Sequence, residues 1–313
     1  MQVSHSINAF SSTKKTIVTL GTFDGVHLGH QSILNQLNEA TENGLYESVV
    51  LTFYPHPRMV LQQEPAIQLL NSMDEKTLLL EKSGIDHLII HPFDAAFSKL
   101  SAEAFVQKVL VEQLQIHKII IGYDHRFGEN RTANITDLIQ FGKKYNFEVA
   151  QINAKEINEI AVSSTTIRTA LSNGSIQLAN RYLGYTYFFS GKVMKGKQLG
   201  RTIGFPTANL ELLEPFKLLP KKGAYVVYST LKDARIFGMM NIGHNPTLGE
   251  NERTIEVHFF DLKEDLYDSV LCISLLAFIR PEEKFSSVEA LKTQLHKDRD
   301  FSKKYLRDYF QPS

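Results

Sequence analysis

Gly21-Thr22-Phe23-Asp24-Gly25-Val26-His27-Leu28-Gly29-His30 is the stretch from which the rest of the chain can be read. It follows the apolar run Thr16-Ile17-Val18-Thr19-Leu20, which has the composition of a buried strand. It precedes Gln31–Leu37, where Ile33, Leu34 and Leu37 recur at helical spacing. The glycines therefore sit in a strand-to-helix turn. Gly21 and Gly25 let the backbone approach a ligand closely, and Gly29 leaves room where a side chain would obstruct packing. His27 and His30 lie three residues apart at the helix start and share one face. That end of a helix favours anions through its free N–H groups and its dipole. Two imidazoles beside it suit a polyphosphate.

Around this turn, residues 16 to 184 alternate between short β runs and helical segments. The strand candidates are 17–20, 49–53, 87–91, 119–121 and 147–152, and the helices are 31–42, a segment from Ser72, 102–114 and 135–145. Ser72 and Glu75 form a capping-box pattern. This alternation predicts an α/β domain with a doubly wound parallel sheet, whose ligands lie beyond the carboxyl ends of the strands. The informative segments fall there. Pro55, His56, Pro57 and Arg58 follow the second strand, as a stiff exit ending in a side chain that can grip phosphate. Gly122 to Gly128 follow a later strand and carry Asp124 and Phe127. Ser163-Ser164-Thr165-Thr166-Ile167-Arg168 places hydroxyls at a helix start, where one of them can cap, and an arginine just inside it.

After Gly184 the pattern becomes β-rich with no intervening helix, which predicts an antiparallel barrel or sandwich. The boundary is expected near residue 184, giving domains 1–184 and 185–313. Gly196, Gly200 and Gly204, with Lys197 and Arg201, can wrap phosphates through backbone N–H groups. Thr207 and Asn209 offer neutral oxygens to one side of an extended segment, a donor type that suits Mg²⁺. In Thr254–Phe260, Glu256 and His258 alternate with Ile255, Val257 and Phe259. Glu256 is a candidate general base if its face lines a site, and a solvated charge if that face meets water. A capping box at Ser286 and Glu289 predicts a C-terminal helix with Val288, Leu291 and Leu295 on one face.

At 313 residues, 43% hydrophobic and 22% charged, with net charge zero, the chain carries no broad electrostatic footprint for nucleic acid or an acidic membrane. Its one cysteine, Cys272, sits in a run that reads as a buried strand. One thiol excludes an intrachain disulfide. With no signal-peptide pattern and no apolar run of spanning length, the expectation is a cytoplasmic protein.

Taken in order, these strings resemble the bacterial bifunctional riboflavin kinase/FMN adenylyltransferase family, also called FAD synthetase. The N-terminal half is similar to nucleotidyltransferases through His27-Leu28-Gly29-His30 and Ser163–Arg168, and to their flavin-specific branch through Pro55–Arg58 and Gly122–Asp124. The C-terminal half resembles riboflavin kinase through Gly200-Arg201, Gly204–Leu210, Asn241-Ile242-Gly243, Pro246-Thr247, Glu256-Val257-His258 and Phe278-Ile279-Arg280. The resemblance implies a nucleotidyltransferase domain followed by a riboflavin kinase β-barrel with a C-terminal helix. It implies riboflavin, FMN and ATP as substrates, with Mg²⁺ as cofactor, and no nucleic-acid or membrane partner.

On that resemblance His27, His30, Arg168 and Glu256 are the expected catalytic residues. Gly21, Thr22, Phe23, Asp24, Gly29, Ser164, Thr165, Gly196, Gly200, Arg201 and Gly204 are expected to bind nucleotide. Pro55, His56, Pro57, Arg58, Asp124, Phe127 and Arg280 are expected to bind flavin, and Thr207 and Asn209 the metal. The chain departs from the family pattern at Thr22, at Thr132-Ala133 and at Ser302-Lys303. Two other readings are compatible with these residues: a nucleotidyltransferase of different specificity fused to an inactive β domain, and a flavin-binding protein without catalysis.

Overall fold

A computed structural model describes residues 1–61, 67–122, 126–152, 162–196, 199–244 and 253–310. The chain divides into two compact units, Met1–Ser164 and Thr165–Ser313.

The first unit is a six-stranded, wholly parallel sheet in the order β1-β4-β3-β2-β5-β6. Its strands are β1 (Gln2–Ser4), β2 (Thr16–Leu20), β3 (Glu47–Tyr54), β4 (His87–Pro92), β5 (Ile116–Gly122) and β6 (Glu148–Ile152). The helices between them are α1 (Leu28–Glu39), α2 (Pro57–Leu61), α3 (Met73–Glu81), α4 (Ala95–Ser98), α5 (Ala102–Phe105) and α6 (Ile135–Tyr145). After α5 the helix widens to π form over Val106–Gln113. Every residue of β2 is buried, as its composition predicts for a central strand covered on both faces. One face of the sheet packs Val18, Leu20, Val49, Leu51, Ile119 and Ile121 against Phe105–Leu114 and Leu138; the other packs Ile17, Val50, Leu88 and Ile120 against Leu34, Leu37 and Leu80. The strand order reverses direction at β2, with β3 on one side and β5 on the other. The carboxyl end of β2 is thus a topological switch point, the place where such sheets bind ligands. The turn from Gly21 to His30 begins there.

The second unit opens with α7 (Ser164–Ser172) and α8 (Ile176–Leu183), which stop at left-handed Gly174 and Gly184. They join the barrel rather than the sheet for a local reason. Lys221 N–H donates to Leu171 O at 3.0 Å, and Asn180 links the Leu275 carbonyl (3.0 Å) to the Tyr187 N–H (2.7 Å). The closed barrel follows in the order β10-β11-β8-β7-β12-β9. Its elements are β7 (Phe188–Met194), α9 (Leu199–Thr202), β8 (Ala208–Leu212), β9 (Gly223–Leu231), β10 (Ala234–His244), β11 (Arg253–Phe259) and β12 (Val270–Pro281), then helix α10 (Val288–Phe310). All barrel pairings are antiparallel. Closure removes the exposed sheet edges that an open sheet of this size would leave.

Two expectations are corrected. Cys272 is exposed, because on β12 it alternates with Leu271 and Ile273, which take the buried face. The cap of α10 is Ser287, whose Oγ accepts the Ala290 N–H at 3.1 Å; this sets Glu289 out of register for a reciprocal box with Ser286. The box at Ser72 and Glu75 is present with both of its bonds. Strand β1 carries no pattern of its own and exists through its partner, β4.

Candidate active sites

The turn after β2 holds an unusual backbone in place by burying its own apolar residues. Phe23 (φ 45°) and Val26 (φ 36°) both adopt positive φ, a costly conformation that is a genuine outlier for β-branched Val26. Each is 2% exposed, within the cluster that includes Ile17, Leu34 and Leu37, so core packing enforces the strain. Gly21 N–H donates to Leu51 O at 3.1 Å, fixing the turn to β3. Asp24 is buried, and its Oδ1 accepts the Leu70 N–H at 2.9 Å; the Ser164 hydroxyl donates to the Asp24 carbonyl at 2.8 Å.

Helix α1 then begins at His27 with no side-chain cap on its first turn. The His27 and His30 rings stack at 3.7 Å, and Phe23 lies 5.0 Å from the His30 ring. Burial pushes His27 down to about 4. His30 is lowered well below the usual histidine range by burial first, then by the fields of His27 and Lys76. Both imidazoles are therefore neutral at pH 7. Among the described residues, Nδ1 of each is buried without a hydrogen-bond partner. Two unmet ring nitrogens beside an uncapped helix start form a site prepared for oxygen-rich anionic groups.

The remaining residues predicted from the N-terminal motifs lie as follows, Thr165 and Arg168 on the first helix of the second unit. Gly29 is buried in the first turn of α1, while Thr22 contributes its carbonyl, which accepts Lys76 Nζ at 2.7 Å. Pro55 follows a cis Tyr54–Pro55 bond, and Pro57 opens α2. His56 is buried with its Nδ1 accepting the Arg58 N–H at 3.1 Å, and the Arg58 side chain is exposed. Phe127 is buried against Phe105, 6.0 Å between rings. Asp124 lies outside the described residues. Thr165, exposed, and Arg168, half-buried, are three apart on α7. Sequence reasoning missed Lys76: a lysine in a capped helix reads as solvated, and only the fold shows it buried under the turn.

In the second unit, Ile255, Val257 and Phe259 are buried and Glu256 takes the opposite, outer face of the barrel. Glu256 stands directly across from Asn209 on β8 and from Asn241 on β10. Facing residues of an antiparallel ladder share a face, so Asn209, Glu256 and Asn241 form one polar row. Thr207 Oγ1 donates to Glu256 Oε2 at 3.1 Å, joining the row from the preceding loop. That loop is clamped: Phe205 N–H donates to Gly200 O at 2.8 Å, and Pro206 O lies 2.8 Å from His258 Nδ1. The Phe205 ring meets His258 at 5.2 Å and His296 of α10 at 5.1 Å.

Glycine is required here by close approach. A Cβ on Gly196 would lie 2.1 Å from Asn209 Nδ2, and one on Gly200 would lie 2.1 Å from Phe205 O. Gly204 has φ +86° and Arg201 is exposed on α9. Arg280 gives both oxygens of Asp298 a bond from Nε (3.0 Å each) and a further bond from Nη2 (2.8 Å), tying β12 to α10. Among the described residues no cluster of three or more His, Cys, Asp or Glu is placed to hold a metal. Thr207 and Asn209 supply a different donor set, neutral oxygens beside one carboxylate, in a cradle that a Cβ on Gly196 would fill. Such a set fits a hard cation that shares its shell with phosphate oxygens.

A parallel α/β unit with paired histidines at its switch point, followed by a closed barrel with a Thr–Glu–Asn row on its outer face, defines a two-part transferase acting on phosphate groups. The FAD synthetase family model matches residues 9–166 and the riboflavin kinase model residues 183–306. A bifunctional riboflavin kinase/FMN adenylyltransferase from Listeria monocytogenes is 38% identical over 90% of this chain and 90% of its own length. Those from Haemophilus influenzae (37%, covering 92% and 94%) and Escherichia coli (34%, covering 90% of each) are similar throughout. A solved chain described as a macrolide-efflux protein from Streptococcus pneumoniae shares the fold, with TM-score 0.86 and 29% identity over 96% of this chain and 98% of that one. That description belongs to that protein; among the described residues here, no helix is long and apolar enough to cross a membrane. This chain belongs to the bifunctional riboflavin kinase/FMN adenylyltransferase family.

Proposed function

We infer that the chain makes flavin cofactors in two steps: riboflavin and ATP give FMN and ADP in the C-terminal unit, and FMN and ATP give FAD and pyrophosphate in the N-terminal unit. The observation that carries this reading is the presence of both constellations, in family order, on one chain. We place the functional boundary near residue 184 and the protein in the cytoplasm.

In the kinase step a neutral ribityl hydroxyl attacks the γ-phosphorus, and its proton needs an acceptor. Glu256, outward-facing and already holding the Thr207 hydroxyl, is the proposed base. Thr207 Oγ1 and Asn209 Oδ1 are the proposed Mg²⁺ ligands. Bound there, the ion offsets charge on the β- and γ-phosphates. Gly196, Gly200, Gly204 and Arg201 bring backbone and guanidinium to the phosphates, and Arg280 borders the flavin side from its anchored position on β12.

In the adenylyl-transfer step the nucleophile is the FMN phosphate, anionic at pH 7, so no base is needed. The requirement is alignment and stabilisation of the departing pyrophosphate. His27 and His30, held neutral, serve as hydrogen-bond donors rather than as charges. Ser164, Thr165 and Arg168 are assigned to the nucleotide phosphates. Gly21, Thr22, Phe23, Asp24 and Gly29 shape the nucleotide turn. Pro55, His56, Pro57, Arg58, Asp124 and Phe127 are assigned to the flavin nucleotide.

The test is incubation of the purified protein with riboflavin, ATP and Mg²⁺, followed by chromatography of the flavins over time. FMN first and FAD later is the expected course. FMN without FAD, also when FMN is supplied, removes the adenylylation reading. No product from either flavin leaves a binding protein.

A further inference from the structure

Among the described residues, Lys76 is a charged residue at the N-terminal site that neither the motifs nor the proposed chemistry uses. It lies in the first turn of α3, 4% exposed, although lysine is among the residues least often buried. Its Nζ donates to the Thr22 carbonyl at 2.7 Å, and this is the hydrogen bond it makes among the described residues. An ammonium carries three donors, so a costly buried cation is spent on one carbonyl of the nucleotide turn. The surroundings are built for it. Asp24, on that turn, faces it, while its Oδ1 holds the Leu70 N–H that leads into the Ser72 cap of α3. His30, stacked on His27, lies within its field from α1. Glu75, beside it on α3, is directed back to the Ser72 N–H at 3.0 Å.

We propose that Lys76 is a positioning residue for adenylyl transfer: its ammonium pins the Thr22 carbonyl, and so the strained Phe23–Val26 backbone. This rests on reading the N-terminal unit as the adenylylation site. Burial lowers Lys76 to about 8, with Asp24 opposing, so the cation is present below that pH and lost above it. Adenylylation should therefore carry an alkaline limb near pH 8 that the kinase reaction, on the same chain, lacks.

The experiment measures FMN-to-FAD and riboflavin-to-FMN rates across pH for the wild-type chain, Lys76→Met and Lys76→Arg. Hydrogen bonds to charged groups are worth enough that Lys76→Met should lower the FMN-to-FAD kcat by about tenfold or more, with the kinase rate unchanged. The limb near pH 8 should vanish in Lys76→Met. In Lys76→Arg, whose charge does not titrate, it should also vanish while part of the rate returns. A limb that persists in either variant, or an unchanged rate in Lys76→Met, overturns the proposal. Histidine C2–H resonances provide a readout independent of turnover. Lys76→Met should shift the His27 and His30 resonances, because the turn that leads into them is no longer held at the Thr22 carbonyl, and unmoved resonances overturn the proposal even if the wild-type chain makes no FAD. A wild-type chain that makes FMN but no FAD contradicts the functional reading instead.

Discussion

Asp298→Ala should loosen the C-terminal helix and, through it, the kinase site. Asp298 is 2% exposed and receives two bonds from Arg280 Nε (3.0 Å each), one from Arg280 Nη2 (2.8 Å) and one from Gln294 Nε2 (2.8 Å). Removing one partner of such a pair leaves the other charge buried without compensation, a loss of about 3–5 kcal/mol. At roughly 1.4 kcal/mol per tenfold, exchange of the α10 amides should quicken by about two to three and a half orders of magnitude. Hydrogen–deuterium exchange resolved by peptide reads this directly, without assuming that two units unfold together. Because His296 of α10 meets Phe205, 5.1 Å between rings, FMN formation should fall with it while FMN-to-FAD conversion stays. The double variant Arg280→Met/Asp298→Leu removes both charges and should recover most of the protection. An acceleration below about tenfold in the single variant would show that the pair is screened like a surface ion pair and would refute the reasoning.

Other outcomes follow from the same geometry. Glu256→Gln should abolish FMN formation, by about a hundredfold or more, and leave FMN-to-FAD conversion intact; equal loss of both in a flavin chromatography assay would contradict separate sites. Gly196→Ala puts a Cβ 2.1 Å from Asn209 Nδ2, so the amide must move; the kinase KM for MgATP should rise, and an unchanged KM would remove Asn209 from the metal side. His27, lowered to about 4 by burial, should show no NMR titration between pH 7 and 5.5. The sign of its effect on stability follows from a folded pKa below the unfolded one. Stability is complete above about pH 6.5 and is lost as pH falls through about 4; a midpoint near 6.5 would mean that the pair is solvated.

What could be read in advance was whatever is local. The strand, glycine turn and helix around Gly21–His30 announce themselves because each has its own period and the turn residues are the ones such a turn requires. The alternation of Ile255, Val257 and Phe259 with Glu256 announces a half-buried strand in the same way. The alternation could not say which face was used, because both faces of a barrel strand can be covered; that needed Thr207 to arrive from another segment. Strand β8 was legible only as an extended segment; its place in the barrel comes from register with Met194 on one side and Glu256 on the other. Ser287 displaced Ser286 as the cap because the two patterns differ by one residue and the helix begins at Val288. The systematic omission is of inward-facing charge. A sequence pattern assigns charged residues to water by default, and correctly so for most of this chain. Asp24, Lys76 and Asp298 are among the exceptions, each 4% exposed or less. Each one anchors a turn or helix that carries the chemistry. A buried charge is stable only if partners from distant segments meet it, and those partners are what hold an active-site turn in a conformation it would not otherwise keep. Local rules therefore fail at the sites for the same reason that the sites work.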